Sequence, residues 1–145
     1  AALYGNIIET FPEVDQYFKA GTDKRRTLLE IMRSDTGGHV LFRPIGMLIF
    51  CQILSSLRSK PFRISIDGAM ELLKCLPTEL NGPPYVGTIW DPVSKTVDHK
   101  GMTVCRDVLL HMISHWRGSS EALLKRYATA LRKRPHEVSL PKPLV

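Results

Sequence analysis

What this sequence has little of narrows its function first. It holds three cysteines, Cys51, Cys75 and Cys105, an odd and widely spaced set that makes no disulfide framework and fits a reducing compartment. Each lies in an apolar helical run and is expected to serve as a small buried hydrophobe. No apolar run is long enough to span a bilayer: the nearest, residues 45–57, falls short of the roughly 20 residues required and is interrupted by Gln52, Ser55 and Ser56. Residues 1–6 carry no basic leader ahead of an apolar segment, so no signal peptide is read and a cytoplasmic location without membrane contact is expected. The chain opens without Met, the pattern of a processed chain or an excised domain.

Catalytic signatures are missing as well. There is no Gly-x-Ser-x-Gly, no phosphate loop, no dinucleotide fingerprint and no EF-hand. His111 and His115 have the i, i+4 spacing that lets two imidazoles share a metal, but no Glu follows His111 and a zinc site needs three or four ligands. Cys105 precedes His111 by six residues, about 240° away on a helix and off the histidine face. Two polar histidines near a helix C-terminus, where positive charge is favoured, is the reading preferred here. Asp98, His99 and Lys100 group an acid, an imidazole and an amine at a hairpin end, a tripeptide common on surfaces. No enzyme, no metal and no cofactor is expected.

What the chain does have is a segregated charge. Residues 1–116 hold 13 Lys/Arg against 12 Asp/Glu, a balance of +1, whereas residues 117–145 hold seven against two, a balance of +5. An excess confined to the last fifth of the chain is the footprint expected for a polyanion partner. It is also what a solvated helix face with a basic tail would show.

The apolar spacing describes a domain that is predominantly helical, of the α+β class, with about six helices, a short strand and a β-hairpin. Residues 3–20 form two helical pieces divided by Pro12, and Thr22 or Asp23 caps a helix reaching Arg33 whose first turn carries Lys24, Arg25 and Arg26 as tolerated surface cations. Residues 34–38 make a turn with Gly37 and Gly38 free to take positive φ. Residues 39–43 read as a short strand, and Pro44 opens a helix over residues 45–57 that is apolar almost all round and therefore central. Asp67 is the expected cap of a helix over residues 68–76. Residues 85–90 and 95–97 read as the two strands of a hairpin. Two helices close the domain, over residues 103–116 and 121–133, the second capped by Ser119 or Ser120. Its apolar face is Leu123, Leu124, Tyr127, Ala128 and Leu131, with Lys125, Arg126, Arg132 and Lys133 off that face. Residues 1–134 form one domain, and residues 135–145 a Pro-punctuated extended tail.

Exposed cations on a helix and beside a hairpin contact phosphates without reading bases. Arg117, Lys125, Arg126, Arg132, Lys133 and Arg134 are the expected nucleic-acid contacts, with Lys95, His99, Lys100 and Arg106 standing near the hairpin. Phe42, Tyr85 and Trp90 have the chemistry to stack bases, although aromatics in an alternating run are more often core.

The stretch Gly-Gly-His-Val-Leu-Phe-Arg-Pro-Ile-Gly (residues 37–46), a strand ending in Phe42, Arg43, Pro44 and Gly46 and running into an apolar helix, resembles the C-terminal half of DGQHR-domain proteins. These include the DndB-like regulators of bacterial DNA phosphorothioate modification. Residues 83–92 (Pro-Pro-Tyr-Val-Gly-Thr-Ile-Trp-Asp-Pro) look like the same region's ending, so the resemblance spans roughly residues 30–133. The Asp-Gly-Gln-His-Arg motif itself is absent, and nothing tied to that half carries over. The resemblance implies a bacterial DNA-modification or defence setting, with DNA as partner and control of transcription as one role. Within the block, Arg43 is expected to brace the strand–helix junction. The alternative reading is a scaffold domain of a multi-subunit complex, docking through residues 135–145 or through an apolar patch at Leu3, Ile7 and Phe11.

Overall fold

A computed structural model describes residues 7, 10–33 and 37–145. Six helices are present among them, with one two-stranded antiparallel hairpin, as a predominantly helical α+β chain should have. They are α1 (Pro12–Lys19), α2 (Thr22–Met32), α3 (Pro44–Arg58), α4 (Ile66–Lys74), α5 (Met102–Met112) and α6 (Ser120–Ala130). Leu3 and residues 34–36 lie outside the described residues. No helix of the described residues is long and apolar enough to cross a membrane.

The core grows around α3. Pro44 occupies the first helical turn, where its missing N–H costs nothing, and Ile45, Ile49, Phe50, Ile53, Leu54 and Leu57 are all buried. Each such side chain is worth about 1.5–3 kcal/mol of burial. α3 packs on α4 and α5, and α5 packs in turn on α6. Phe11, His39, Phe42 and Tyr17 line up edge to face against this core, with Phe11 also meeting Phe50.

Residues 39–43 do not form the expected strand. His39 makes a single bridge to Glu79, after which Val40–Phe42 is a 3-10 turn, because His39 Nδ1 accepts the Leu41 N–H at 3.1 Å and coils the chain locally. The turn is pressed onto the first turn of α3: a Cβ at Gly46 would collide with the Val40 carbonyl. Arg43 braces the junction as expected, donating from Nη2 to Gly37 O at 3.3 Å with its guanidinium 5.0 Å over the Trp90 ring. Gly37 and Gly38 both have positive φ. The Phe42–Gly46 block is thus a corner that joins turn, helix and hairpin.

Several boundaries differ from expectation. Thr22 is the first helical residue of α2 and Gly21 its cap, so neither Thr22 nor Asp23 caps it. α4 begins at Ile66, and its cap is Ser65, whose hydroxyl accepts the Gly68 N–H; Asp67 sits inside the first turn. Residues 85–89 are consecutive turns, since Gly87 has φ +88° and Tyr85 O accepts the N–H groups of Thr88, Ile89 and Trp90. The hairpin is only β1 (Trp90–Asp91) with β2 (Thr96–Val97), in the register Trp90↔Val97 and Asp91↔Thr96. α5 stops at Met112, where Ser114 turns the chain at φ +60°. α6 is capped by Ser119 as expected but stops at Ala130, Arg132 having φ +57°.

The tail forms a 3-10 turn at Pro135–Glu137 and then runs extended. Val138 and Leu140 pack against the core, and Leu144 N–H donates to Met112 O at 2.7 Å. Of the cysteines only Cys105 is buried; Cys51 is half-buried and Cys75 exposed on the outer side of α4's end.

Candidate functional site

Four of the six cations expected to carry binding, Arg117, Lys125, Arg126 and Arg132, are distributed over three depressions. The first, about 500 Å³, lies between the 3-10 turn His99–Gly101, α5 and α6. Lys100, Lys125 and Arg126 line it, with the hydroxyl residues Thr103 and Thr129. A second, about 260 Å³, shares Gly87, Thr88, Asp98 and Ala130 with the first and adds Arg132 and Asp91. A third, about 400 Å³, is walled by the end of α3, residues 60–62, α5 and the α5–α6 connection, and presents Lys60, Arg106 and Arg117. Lys133 and Arg134 are exposed beyond α6 and line none of these three.

One buried acid joins the first depression to the third. Asp107, 3% exposed, receives Arg126 Nη1 on Oδ2 at 2.9 Å and Arg106 Nε on Oδ1 at 3.2 Å. Arg106 also donates from Nη1 to Gln52 Oε1 at 3.2 Å, and the Arg126 guanidinium lies 6.0 Å over the Trp116 ring. A carboxylate taken out of water needs such partners, and two arginines on one acid leave the trio with a net positive charge. Arg126 is therefore a fixed charge with a structural duty. Lys125 is different: it and Glu121 meet at 3.6 Å, both well exposed, a contact that water screens.

Other acids at this surface are already engaged. Asp98 Oδ1 accepts the Lys100 N–H, and Asp91 Oδ1 accepts the Val93 N–H at 2.9 Å. The Val93 N–H, helped by Ser94 and more weakly by Arg132, holds the Asp91 carboxyl below the usual carboxylate range. Lys95 and His99 are exposed at the hairpin and the turn after it.

The aromatic candidates for base stacking belong to the core: Tyr85 is fully buried, Trp90 is 2% exposed and Phe42 7%. Tyr85 instead donates its hydroxyl to Pro77 O. His111 and His115 do not share a helix face, because α5 ends between them; the His115 ring meets Phe62 edge to face, centroids 4.9 Å apart. Among the described residues no group of three or more His, Cys, Asp and Glu is placed to hold a metal ion. Ile7 and Phe11 are buried, so those two offer no uncovered apolar patch for docking.

Lys60 and Phe62 were not among the sequence candidates. They lie more than 40 residues before Arg106 in the chain, and only the packing of α3 on α5 brings them to the same cleft. No protein-family model, no curated protein and no solved structure matches this chain.

Proposed function

We propose that this chain is a DNA-associated regulatory or defence domain that holds the phosphate backbone through the surface built on α6, and that it is a binding module with no catalytic role. The observation that carries this reading is the first cleft, where Lys100 from the turn and Lys125 and Arg126 from α6 line one concave surface on a chain of net charge +6. Thr103 adds a hydroxyl donor of the kind phosphate oxygens accept, whereas the Thr129 hydroxyl donates to Lys125 O at 2.9 Å. Arg132, in the adjoining second depression, extends the charge. Contacts of this type position a duplex and carry no sequence information, so binding is expected to be non-specific and steeply salt-dependent. The bacterial DNA-modification setting implied by the Phe42–Gly46 resemblance belongs to the same reading, as does a role in transcriptional control.

Duplex affinity measured against salt tests it. The logarithm of the binding constant is expected to fall linearly with the logarithm of salt concentration, by about 0.9 per phosphate neutralised. The double substitution Lys100→Gln with Lys125→Gln is expected to flatten that slope by about two. Duplex binding undetectable at low salt, or a slope the double variant leaves unchanged, overturns the proposal.

A further inference from the structure

The third depression has a chemistry the first one lacks. Its cations Lys60, Arg106 and Arg117 stand beside two half-buried aromatic side chains, Phe62 and Trp116, in a cleft of about 400 Å³. That volume lies within the range of small-ligand sites, roughly 300–1,000 Å³. His115 completes the wall with a defined hydrogen-bonding state: a carbonyl only accepts, so the contact of Nδ1 with Ile113 O at 2.6 Å makes Nδ1 the donor and leaves Nε2 of the neutral ring as an acceptor. Ser55 and Ser56 add hydroxyls at the end of α3.

Cations, aromatic rings and one acceptor together match a ligand with a phosphate at one end and a flat heteroaromatic ring with N–H donors at the other. The acid of this cleft, Asp107, does not repel such a ligand, since both its oxygens are already taken by arginines. The α3 carbonyls at this end are also engaged: Ser55 O accepts the Ser59 N–H and hydroxyl, and Leu57 O accepts the Ile64 N–H.

We infer that this cleft binds a single nucleotide unit, with Lys60, Arg106 and Arg117 on its phosphate and Phe62, with Trp116, against its base. The unit has two sources, a free mononucleotide or the unstacked end of a nucleic acid strand. Base–aromatic contact is tolerant of base identity, because every base has a π-face. This site is separate from the duplex-binding surface of α6 and does not depend on it.

Trp116 supplies the readout. It is one of two tryptophans, and the other, Trp90, is buried in the core. Titration with adenosine 5′-monophosphate is expected to quench the Trp116 fluorescence saturably, with a dissociation constant at or below about 1 mM. Adenosine alone and inorganic phosphate alone are each expected to bind at least tenfold more weakly. A 5′-phosphorylated dinucleotide that binds tighter than the mononucleotide identifies a strand end as the source; equal affinities identify the free nucleotide. Phe62→Leu keeps apolar volume in the loop and removes the ring, and is expected to weaken binding about fivefold or more. Arg117→Gln, on an exposed position, is expected to bring the affinity down to that of adenosine. Phe62→Leu is expected to leave the salt slope of duplex binding as it was, and Lys100→Gln with Lys125→Gln to leave mononucleotide binding as it was. Each site therefore fails or survives on its own. The proposal is overturned by absence of saturable quenching, by phosphate binding as tightly as the mononucleotide, or by a Phe62→Leu variant, folded by circular dichroism, with unaltered affinity.

Discussion

Replacing Arg126 by Ala separates the two roles its position suggests. By charge alone Arg126 and Lys125 are equivalent neighbours on α6, and a surface contact would make either substitution harmless to folding. Their partners are not equivalent. Asp107 is 4% exposed in its side chain and Arg126 41%, with the pair at 2.9 Å. Removing one member of a fully buried ion pair costs about 3–5 kcal/mol, but here Arg106 stays on Oδ1 and Arg126 is part-exposed, so about 2 kcal/mol is expected. For a domain of this size that is a fall in Tm of about 4–8 °C. Lys125→Ala, which breaks only the screened contact with Glu121, is expected to stay within about 0.5 kcal/mol of the unmodified chain. Thermal unfolding by circular dichroism measures both. A double-mutant cycle with Asp107→Asn then assigns the loss: in the Asp107→Asn background Arg126→Ala should cost at least about 1 kcal/mol less, because no buried charge is left behind. An Arg126→Ala variant as stable as Lys125→Ala, or a cycle with no coupling, would refute the assignment of Arg126 to the fold.

Three further outcomes follow from buried groups. His39 is buried, and burial holds its pKa below the ordinary histidine value, with Glu13 at 3.8 Å opposing more weakly. The unfolded chain therefore takes up the proton first, and stability falls as pH drops from about 6.5 through the lower folded-state value. Tm should decline between pH 7 and pH 5, and His39→Asn, which keeps an acceptor for the Leu41 N–H, should flatten that decline; parallel pH profiles for the two proteins would count against it. Gly46→Ala places a methyl group against the Val40 carbonyl and, because backbone cannot give way as a side chain does, should cost about 3 kcal/mol or more, read as a lowered denaturation midpoint. Burial pushes the Cys105 thiol up to about 12, against a smaller opposing hydrogen bond from Thr88, while Cys75 is exposed. A thiol reagent at pH 8 should label Cys75 at once and Cys105 only on unfolding, and prompt labelling of Cys105 would contradict its placement.

The features legible in the sequence are those whose cause is local. Pro44 and Ser119 mark helix starts because proline at the first turn and serine at the cap act within one turn of the backbone, and both do so here. The apolar spacing of α3 correctly makes it central. Residues 39–43 and 85–89 mislead because a buried turn and a short buried strand both read as a brief apolar run between turn residues. Only Gly87, with its positive φ, carried a hint that the second run was not extended. The caps at Gly21 and Ser65 are each one or two residues from the expected ones, a shift apolar periodicity does not resolve. Function-bearing geometry is less legible still. That Lys125 and Arg126 leave the apolar face of α6 follows from helical spacing, but that Arg126 is spent on Asp107 depends on how α6 packs on α5. Lys60 and Phe62 join Arg117 for the same non-local reason.

The return of the tail to the end of α5 has a mechanical consequence. Leu144 is fastened to Met112 and Ser114 Oγ donates to Val145 O at 2.6 Å, so a load applied at residue 145 enters the body at the far end of α5 and bypasses α6. Under tension these two fastenings are stretched before any turn of α6 unwinds. Release of residues 141–145, beyond Val138 and Leu140 packed on the core, would then appear as a short lengthening step ahead of core rupture. A handle attached there would report the latch first and the domain second.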